Sequence, residues 1–406
     1  MHTAREVRVY GLVQGVGFRP FVHRLAKKHR LLGWAANTRG FVHMKLQGTE
    51  SDLEAFLEAL SAQPPPLARI ERIETEASGT EEFEDFHIRE SRSNEAAPTR
   101  ISPDIAVCSE CLEDIFGGGR RRHYPFSNCT NCGPRFSIVR ELPYDRSATT
   151  MDLFPMCGEC RREYEEIEDR RYHAQPNACP RCGPHYTLVC AGGAAEAGDE
   201  AGGAGDGAPG SRFDDIDEIL EKTARIIEAG GIVAIKGVGG FHLACDAADE
   251  RAVRRLRAQK RREGKPFALM CRFADALEGL AIGEEERRLL HDPGRPIVLL
   301  RKEDTRHSAG EGCGSDGDSP DVAPSVSRGL HTLGVMLPYA PIHHLLFSRL
   351  QTDVLVMTSG NPSEVPLIHT HEEAERRLSD IADASLLYNR EIHNRCDDSV
   401  VMAVAG

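Results

Sequence analysis

Four CxxC pairs constrain the fold of this 406-residue chain more than any other feature. They are Cys108/Cys111, Cys129/Cys132, Cys157/Cys160 and Cys179/Cys182, separated by 17, 24 and 18 residues. All lie between residues 100 and 190, a stretch with nine cysteines, many arginines and little apolar periodicity. Such a stretch cannot build a large core and needs another source of stability. One CxxC puts two thiolates on a tight turn, and two such turns complete a tetrahedral four-thiolate zinc shell. The stretch is also an internal repeat: "CSECLEDIFGGGRRRHYPFSNCTNCGPRFSI" aligns with "CGECRREYEEIEDRRYHAQPNACPRCGPHYTL". Four pairs predict two zinc ions, and a closed shell makes their role structural. Duplication favours one site within each repeat, although an interleaved pairing has the same spacing. Cys190, Cys245, Cys271, Cys313 and Cys396 stand outside the pairs and read as core or free thiols.

Fifty Lys and Arg against 63 Asp and Glu leave a net charge of −13. That balance argues against nucleic acid, RNA included, as the main partner. The opening "MHTAREVRVYGL" lacks the apolar core of a signal peptide, and no apolar run reaches the length of a membrane span. A cytoplasmic protein without membrane attachment is expected. In that compartment 13 cysteines point to metal rather than to a disulfide framework.

Residues 5–92 read as strand, helix, two strands, helix, two strands. Val7 to Gly11 alternates, and "FRPFVHRLAKKHRL" carries Phe18, Phe21, Val22 and Leu25 at helical spacing. "GWAANT" and "FVHMKLQG" form a hairpin turning near Thr38–Gly40. Ser51 as N-cap with Glu54 at the box position opens a second helix. This is the order of a ferredoxin-like split βαβ sandwich. After the Cys-rich segment, residues 191–211 form an Ala/Gly/Asp-rich linker expected to be flexible. Residues 212–406 then alternate helices and strands as an α/β domain, interrupted by a low-complexity insert at 303–327 that reads as a peripheral surface loop.

In "VYGLVQGVGFRPFVHRLAKKH", a glycine-rich loop joins the first strand to the first helix. Gly11, Gly15 and Gly17 allow backbone N–H groups to turn inward as an anion nest, and the helix adds its positive dipole end. Arg19 at the junction can grip two oxygens of one phosphate. With the split βαβ order around it, "GLVQGVGFR" followed by "GWAANT" resembles the acylphosphatase family. That resemblance makes Gln14, Gly15, Val16, Gly17 and Phe18 the phosphate cradle, Arg19 the phosphate anchor and Asn37 the residue that positions the attacking water. An acyl phosphate is already activated, so it needs charge stabilisation and an oriented water more than a strong base.

The third segment places Lys236 after an apolar strand in "GIVAIKGVGGFHLACDA", followed by "KRREGKPF" and "VMTSGNPSEVPL". This order resembles the YrdC family, which makes carbamoyl-type adenylates from ATP. By that resemblance Lys260 and Arg262 form a KxR motif, and Ser359 with Asn361 an SxN motif, around the nucleotide phosphates. Lys236 and Lys265 join them as candidate ATP and carbamoyl-adenylate contacts. His242, His343 and His344 could line the site, and Asp397 and Asp398 offer polar contacts there.

Together, the three segments in this order resemble the N-terminal half of the HypF family, carbamoyltransferases that mature nickel–iron hydrogenases. The resemblance implies hydrolysis of carbamoyl phosphate to carbamate and formation of carbamoyl-adenylate with ATP and Mg. It also implies HypE as acceptor of the carbamoyl group on its C-terminal cysteine. The chain stops at Gly406, where the transferase domain of that family should begin, so complete transfer is not expected of it. Two alternatives stand beside this reading: a threonylcarbamoyl-adenylate-type synthase for tRNA modification, and a non-catalytic zinc docking module.

Overall fold

The computed structural model describes residues 2–38, 40–89, 101–191, 212–262, 264–303, 322–361 and 365–404. All but the first residue of the 191–211 linker, and Cys313, lie outside these residues. The chain divides into two compact units: Met1–Cys111 with Ser127–Gly183, and Leu112–Phe126 with Pro184–Gly406. No described helix is long and apolar enough to cross a membrane.

In the first unit, strands β1 (Thr3–Leu12), β2 (Leu32–Asn37), β3 (Phe41–Gly48), β4 (Arg69–Ser78) and β5 (Phe86–Ile88) form one sheet in the order β4-β1-β3-β2-β5. Period-two alternation sets its faces. Val7 and Val9 of β1 point into the core, while Arg8 and Tyr10 reach Glu76 and Glu74 on β4. Helix α1 (Phe18–Lys28) lays Phe18, Val22, Leu25 and Ala26 on the sheet and ends in Lys27 and Lys28, which complement its dipole. Helix α2 (Glu50–Ala62) buries Leu53, Phe56 and Leu60 in the same core. Its N-cap is Thr49 rather than Ser51, because the Thr49 hydroxyl accepts from the Asp52 N–H at 3.2 Å. The helix therefore starts a residue before Ser51, which lies inside it. The strand–helix order is the expected split βαβ sandwich.

The Cys-rich stretch supplies helices α3 (Ser109–Phe116) and α4 (Gly158–Glu165) and 3₁₀ turns at Phe136–Ile138, Arg146–Ala148 and Thr150–Leu153. Buried arginines add to a small apolar core that includes Ile138, Val139 and Met151. Arg135, 2% exposed, donates to the carbonyls of Cys129, Thr130, Cys132 and Pro134, and Arg171 to that of Asn128.

The second unit is α/β. Its strands are β6 (Tyr186–Cys190), β7 (Arg212–Phe213), β8 (Val233–Lys236), β9 (Phe241–Asp246), β10 (Ala268–Cys271), β11 (Leu280–Ala281), β12 (Ile297–Lys302), β13 (Thr332–Met336), β14 (Val354–Ser359), β15 (Ala384–Tyr388) and β16 (Val400–Val401). They form one mixed sheet in the order β11-β12-β13-β10-β14-β9-β8-β15-β6-β7, with β16 beside β12. Helices α5 (Ile216–Glu228), α6 (Glu250–Gln259), α7 (Glu284–Leu290), α8 (Pro341–Phe347) and α9 (His371–Leu378) connect them. β8 is buried throughout, as expected for a strand covered on both faces. The insert at 303–327 is not peripheral along its whole length. Val322, Ala323 and Val326 enter the core, and the Ser325 hydroxyl donates to Glu250 at 2.7 Å.

Candidate active site

Gly15 and Gly17 both hold φ of +72°, which turns the chain sharply between β1 and α1. Gly17 is the N-cap of α1 and offers no side chain to the helix start. From Gly15 to Arg19, no backbone N–H has an acceptor among the described residues. Five adjacent free donors at a helix N-terminus form a cradle that an anion would satisfy. Val16 and Phe18 bury their side chains in the core and contribute backbone only. Gln14 lines the same cleft as Gly15, Gly17 and Arg19. It donates to the Thr38 carbonyl at 2.8 Å and so ties the loop to the β2–β3 turn.

Arg19 is 8% exposed and Asn37 is fully buried. With its amide oxygen facing the guanidinium, Asn37 accepts from Arg19 Nε and Nη2, both at 3.2 Å. The two residues that the motif singled out therefore meet, although 18 positions separate them. The surrounding cleft is also walled by Thr130, Arg135, Tyr144 and His173 to Pro176. Asp145 pairs with Arg19 Nη2 at 2.8 Å, and Arg135 Nε donates to the Gly15 carbonyl. Burial, with the Arg19 charge beside it, pushes the His173 imidazole down to about 3, which keeps it neutral at physiological pH. Asp145, Arg135 and His173 escaped sequence reasoning because each looks like one more polar residue between cysteines. Only the CGP that precedes Arg135 sets any of them apart.

Each four-cysteine set closes within its own repeat, which removes the interleaved alternative. In the first, Cys108–Cys129, Cys129–Cys132 and Cys132–Cys111 sulfurs lie 3.7, 3.8 and 3.5 Å apart. In the second, Cys157–Cys179, Cys179–Cys182 and Cys182–Cys160 lie at 3.8, 3.7 and 3.6 Å. A tetrahedron with zinc–sulfur bonds of about 2.3 Å has edges of about 3.8 Å, so both sets fit zinc. All ligand atoms of each set lie within 4.8 Å of one another. Arg170 Nη1, 2.9 Å from Cys111 Sγ, places a cation beside the first thiolate set.

In the second unit, α6 and β14 bring the KxR and SxN motifs together. Lys260, 1% exposed, donates Nζ to the carbonyls of Ser359 and Asn361, and the Ser359 hydroxyl lies 2.6 Å from Asn361 Oδ1. Burial, aided by Arg262 and opposed by Asp397, pushes the Lys260 amine down to about 7. Arg262 donates to the Pro266 carbonyl at 2.7 Å, while Lys265 is exposed. Lys236 is engaged elsewhere: its buried amine donates to the carbonyls of Tyr388 and Arg390 at 3.0 and 2.9 Å. His242 pairs with Asp398 at 2.9 Å, and His343 is buried in α8.

Residues 5–88 match the acylphosphatase family model. The Leuconostoc mesenteroides acylphosphatase is 45% identical over 87 residues, 97% of its length and 21% of this chain. The first domain belongs to the acylphosphatase family. Residues 107–139 and 156–189 match the HypF finger model, and 225–406 the Sua5–YciO–YrdC model, described under telomere recombination. The Rhodobacter capsulatus carbamoyltransferase HypF is 46% identical over 98% of this chain and 48% of its own length. A full-length HypF crystal structure in phosphate- and nucleotide-bound form superposes with a TM-score of 0.86 at 43% identity, over 99% of this chain and 48% of that one. The T. kodakarensis HypF structure gives 0.83 at 42% identity, over 98% and 47%. The chain thus carries the acylphosphatase, HypF-finger and YrdC domain set of HypF proteins and spans about half the length of the curated relatives it matches.

Proposed function

We propose that the acylphosphatase domain hydrolyses carbamoyl phosphate to carbamate and phosphate, and that the YrdC-like domain joins carbamate to ATP as carbamoyl-adenylate, releasing pyrophosphate. The observation that carries the first step is the run of unsatisfied N–H groups from Gly15 to Arg19 beside the Arg19 guanidinium. The phosphate would lie on these donors, and Asn37, held by Arg19, would orient water for attack at phosphorus. The second step rests on Lys260, Arg262, Ser359 and Asn361, the lysine drawing Ser359 and Asn361 into one group; Mg would accompany the nucleotide. Lys265 adjoins that group, its carbonyl accepting from Arg262 Nε at 3.3 Å, and would sit near the nucleotide, while the Lys236 amine donates to the carbonyls of Tyr388 and Arg390. In the whole protein the carbamoyl group would pass to HypE, as a step of hydrogenase maturation. Two thiolate sets suited to zinc rather than disulfides support a reducing, cytoplasmic setting.

Arg19→Ala tests the first step. Loss of the cation should cost about 2–4 kcal/mol of transition-state stabilisation, the scale of a lost oxyanion donor. Phosphate release from carbamoyl phosphate at the parental rate would refute the assignment. Lys260→Ala should leave phosphate release intact and stop pyrophosphate formation.

A further inference from the structure

We propose that Asp145, carried by the Cys-rich segment, is a positioning residue of the acyl-phosphate site, fixing Arg19 so that its remaining nitrogen, Nη1, meets the phosphate. The proposal rests on the hydrolytic reading above. Asp145 is the N-cap of the 3₁₀ turn Arg146–Ala148, where an aspartate ordinarily accepts from its own turn. Here its side chain makes no capping bond and instead pairs with Arg19 Nη2 at 2.8 Å. The Tyr144 carbonyl lies 3.4 Å from the same nitrogen, and the Asn37 amide oxygen takes Nε and Nη2. Arg19 Nη1 has no partner among the described residues. That leaves Nη1, a different nitrogen from the one the carboxylate holds, for the substrate, which is the arrangement of an orienting group rather than of a competing anion.

The next residue anchors that carboxylate. Arg146 donates its backbone N–H to Gln175 Oε1 at 2.7 Å and its guanidinium to the carbonyls of Asn177 and Phe154 at 2.9 and 2.6 Å. Asn177 lies two positions before Cys179, so the fold of the second four-cysteine repeat sets where Asp145 stands. A long arginine held on two sides loses less freedom when substrate arrives. The Cys-rich segment on this view supplies part of the hydrolytic machinery as well as stability.

The test measures phosphate release from carbamoyl phosphate by the full chain in Asp145→Asn and Asp145→Glu, with zinc content and inhibition by inorganic phosphate measured alongside. Asp145→Asn is expected to lower kcat about 10–100-fold, the scale of a misplaced catalytic group, while retaining two zinc ions. Asp145→Glu, which keeps the charge one methylene further out, should fall between the parent and Asp145→Asn. A purely structural residue would not produce that graded kcat with zinc retained. Parental kcat in Asp145→Asn, or tighter inhibition by phosphate together with faster turnover, would overturn the proposal. If Asp145→Asn sheds zinc, Asp145→Glu decides: reduced kcat with two zinc ions supports positioning, and parental kcat overturns it. Should Arg19→Ala leave hydrolysis intact, the hydrolytic reading itself falls; if Arg19→Ala is inactive and Asp145→Asn keeps parental turnover, only the positioning role falls.

Discussion

Replacing Arg135 with methionine removes a guanidinium that holds the first four-cysteine knuckle to the acylphosphatase loop. The side chain is 2% exposed and donates to the carbonyl of Gly15 as well as to those of Cys129, Thr130, Cys132 and Pro134. A net bond to a charged donor contributes about 1.5–3 kcal/mol, and a stranded buried acceptor costs about 1–3. Here several carbonyls share each nitrogen, and water can enter the space left behind. About 1 kcal/mol for each lost contact is therefore the fair scale, giving about 3–5 kcal/mol, near the top of single-residue effects. That corresponds to an increase of roughly 10²–10⁴ in the opening equilibrium of the knuckle. The assay is chelator-driven zinc release from the full chain. One of two ions should leave much faster in Arg135→Met, with the other near its parental rate. Arg135→Lys has three donors for these acceptors and should recover about half of the effect. Release of both ions at parental rates in Arg135→Met would refute the reasoning.

Cys132→Ser should lower bound zinc from two ions to one by elemental analysis and open residues 101–183 to protease, since Cys132 is a fully buried member of its set. Gly33→Ala should cost at least about 3 kcal/mol, read as a loss of folded yield or a lower denaturation midpoint: φ is +130°, and a Cβ would stand 2.0 Å from the Lys45 carbonyl oxygen. Burial holds His344 at about 4 and His343 well below the ordinary value, so between about pH 6.5 and 4 the unfolded chain binds more protons than the folded one. Stability of the second unit is therefore complete above about pH 6.5 and falls on acidification by about 1.4 kcal/mol per pH unit for each histidine. An identical urea midpoint at pH 7 and pH 5 would contradict this.

The zinc sets were legible because their signal is covalent: two cysteines three apart must share a turn wherever that turn ends up. Which turns join was not legible, since within-repeat and interleaved pairings have the same spacing, and only folded proximity selects Cys108 with Cys129. The sandwich was legible for a similarly local reason, because alternation in β1 and helical spacing in α1 reflect which face each element buries. Local reading faltered where two solutions compete within one turn. Thr49 and Ser51 can both cap a helix, and the chain uses Thr49. It also faltered at Val322 to Val326, where a short apolar run at the edge of a low-complexity insert is pulled into the core. At the site, glycines, Arg19 and Asn37 announce an anion cradle because turn geometry and charge are properties of nearby residues. Asp145 and Arg135 do not, since their partners Arg19 and Gly15 lie 126 and 120 positions away. Lys236 makes a related point: a lysine after an apolar strand suits a phosphate in sequence, and the fold engages its amine, like that of Lys260, with backbone carbonyls, here those of Tyr388 and Arg390. Spacing determines what a short segment can do on its own. Which distant group meets a buried charge is decided only when burial removes water and leaves that charge to the nearest dipole or counter-ion the fold provides.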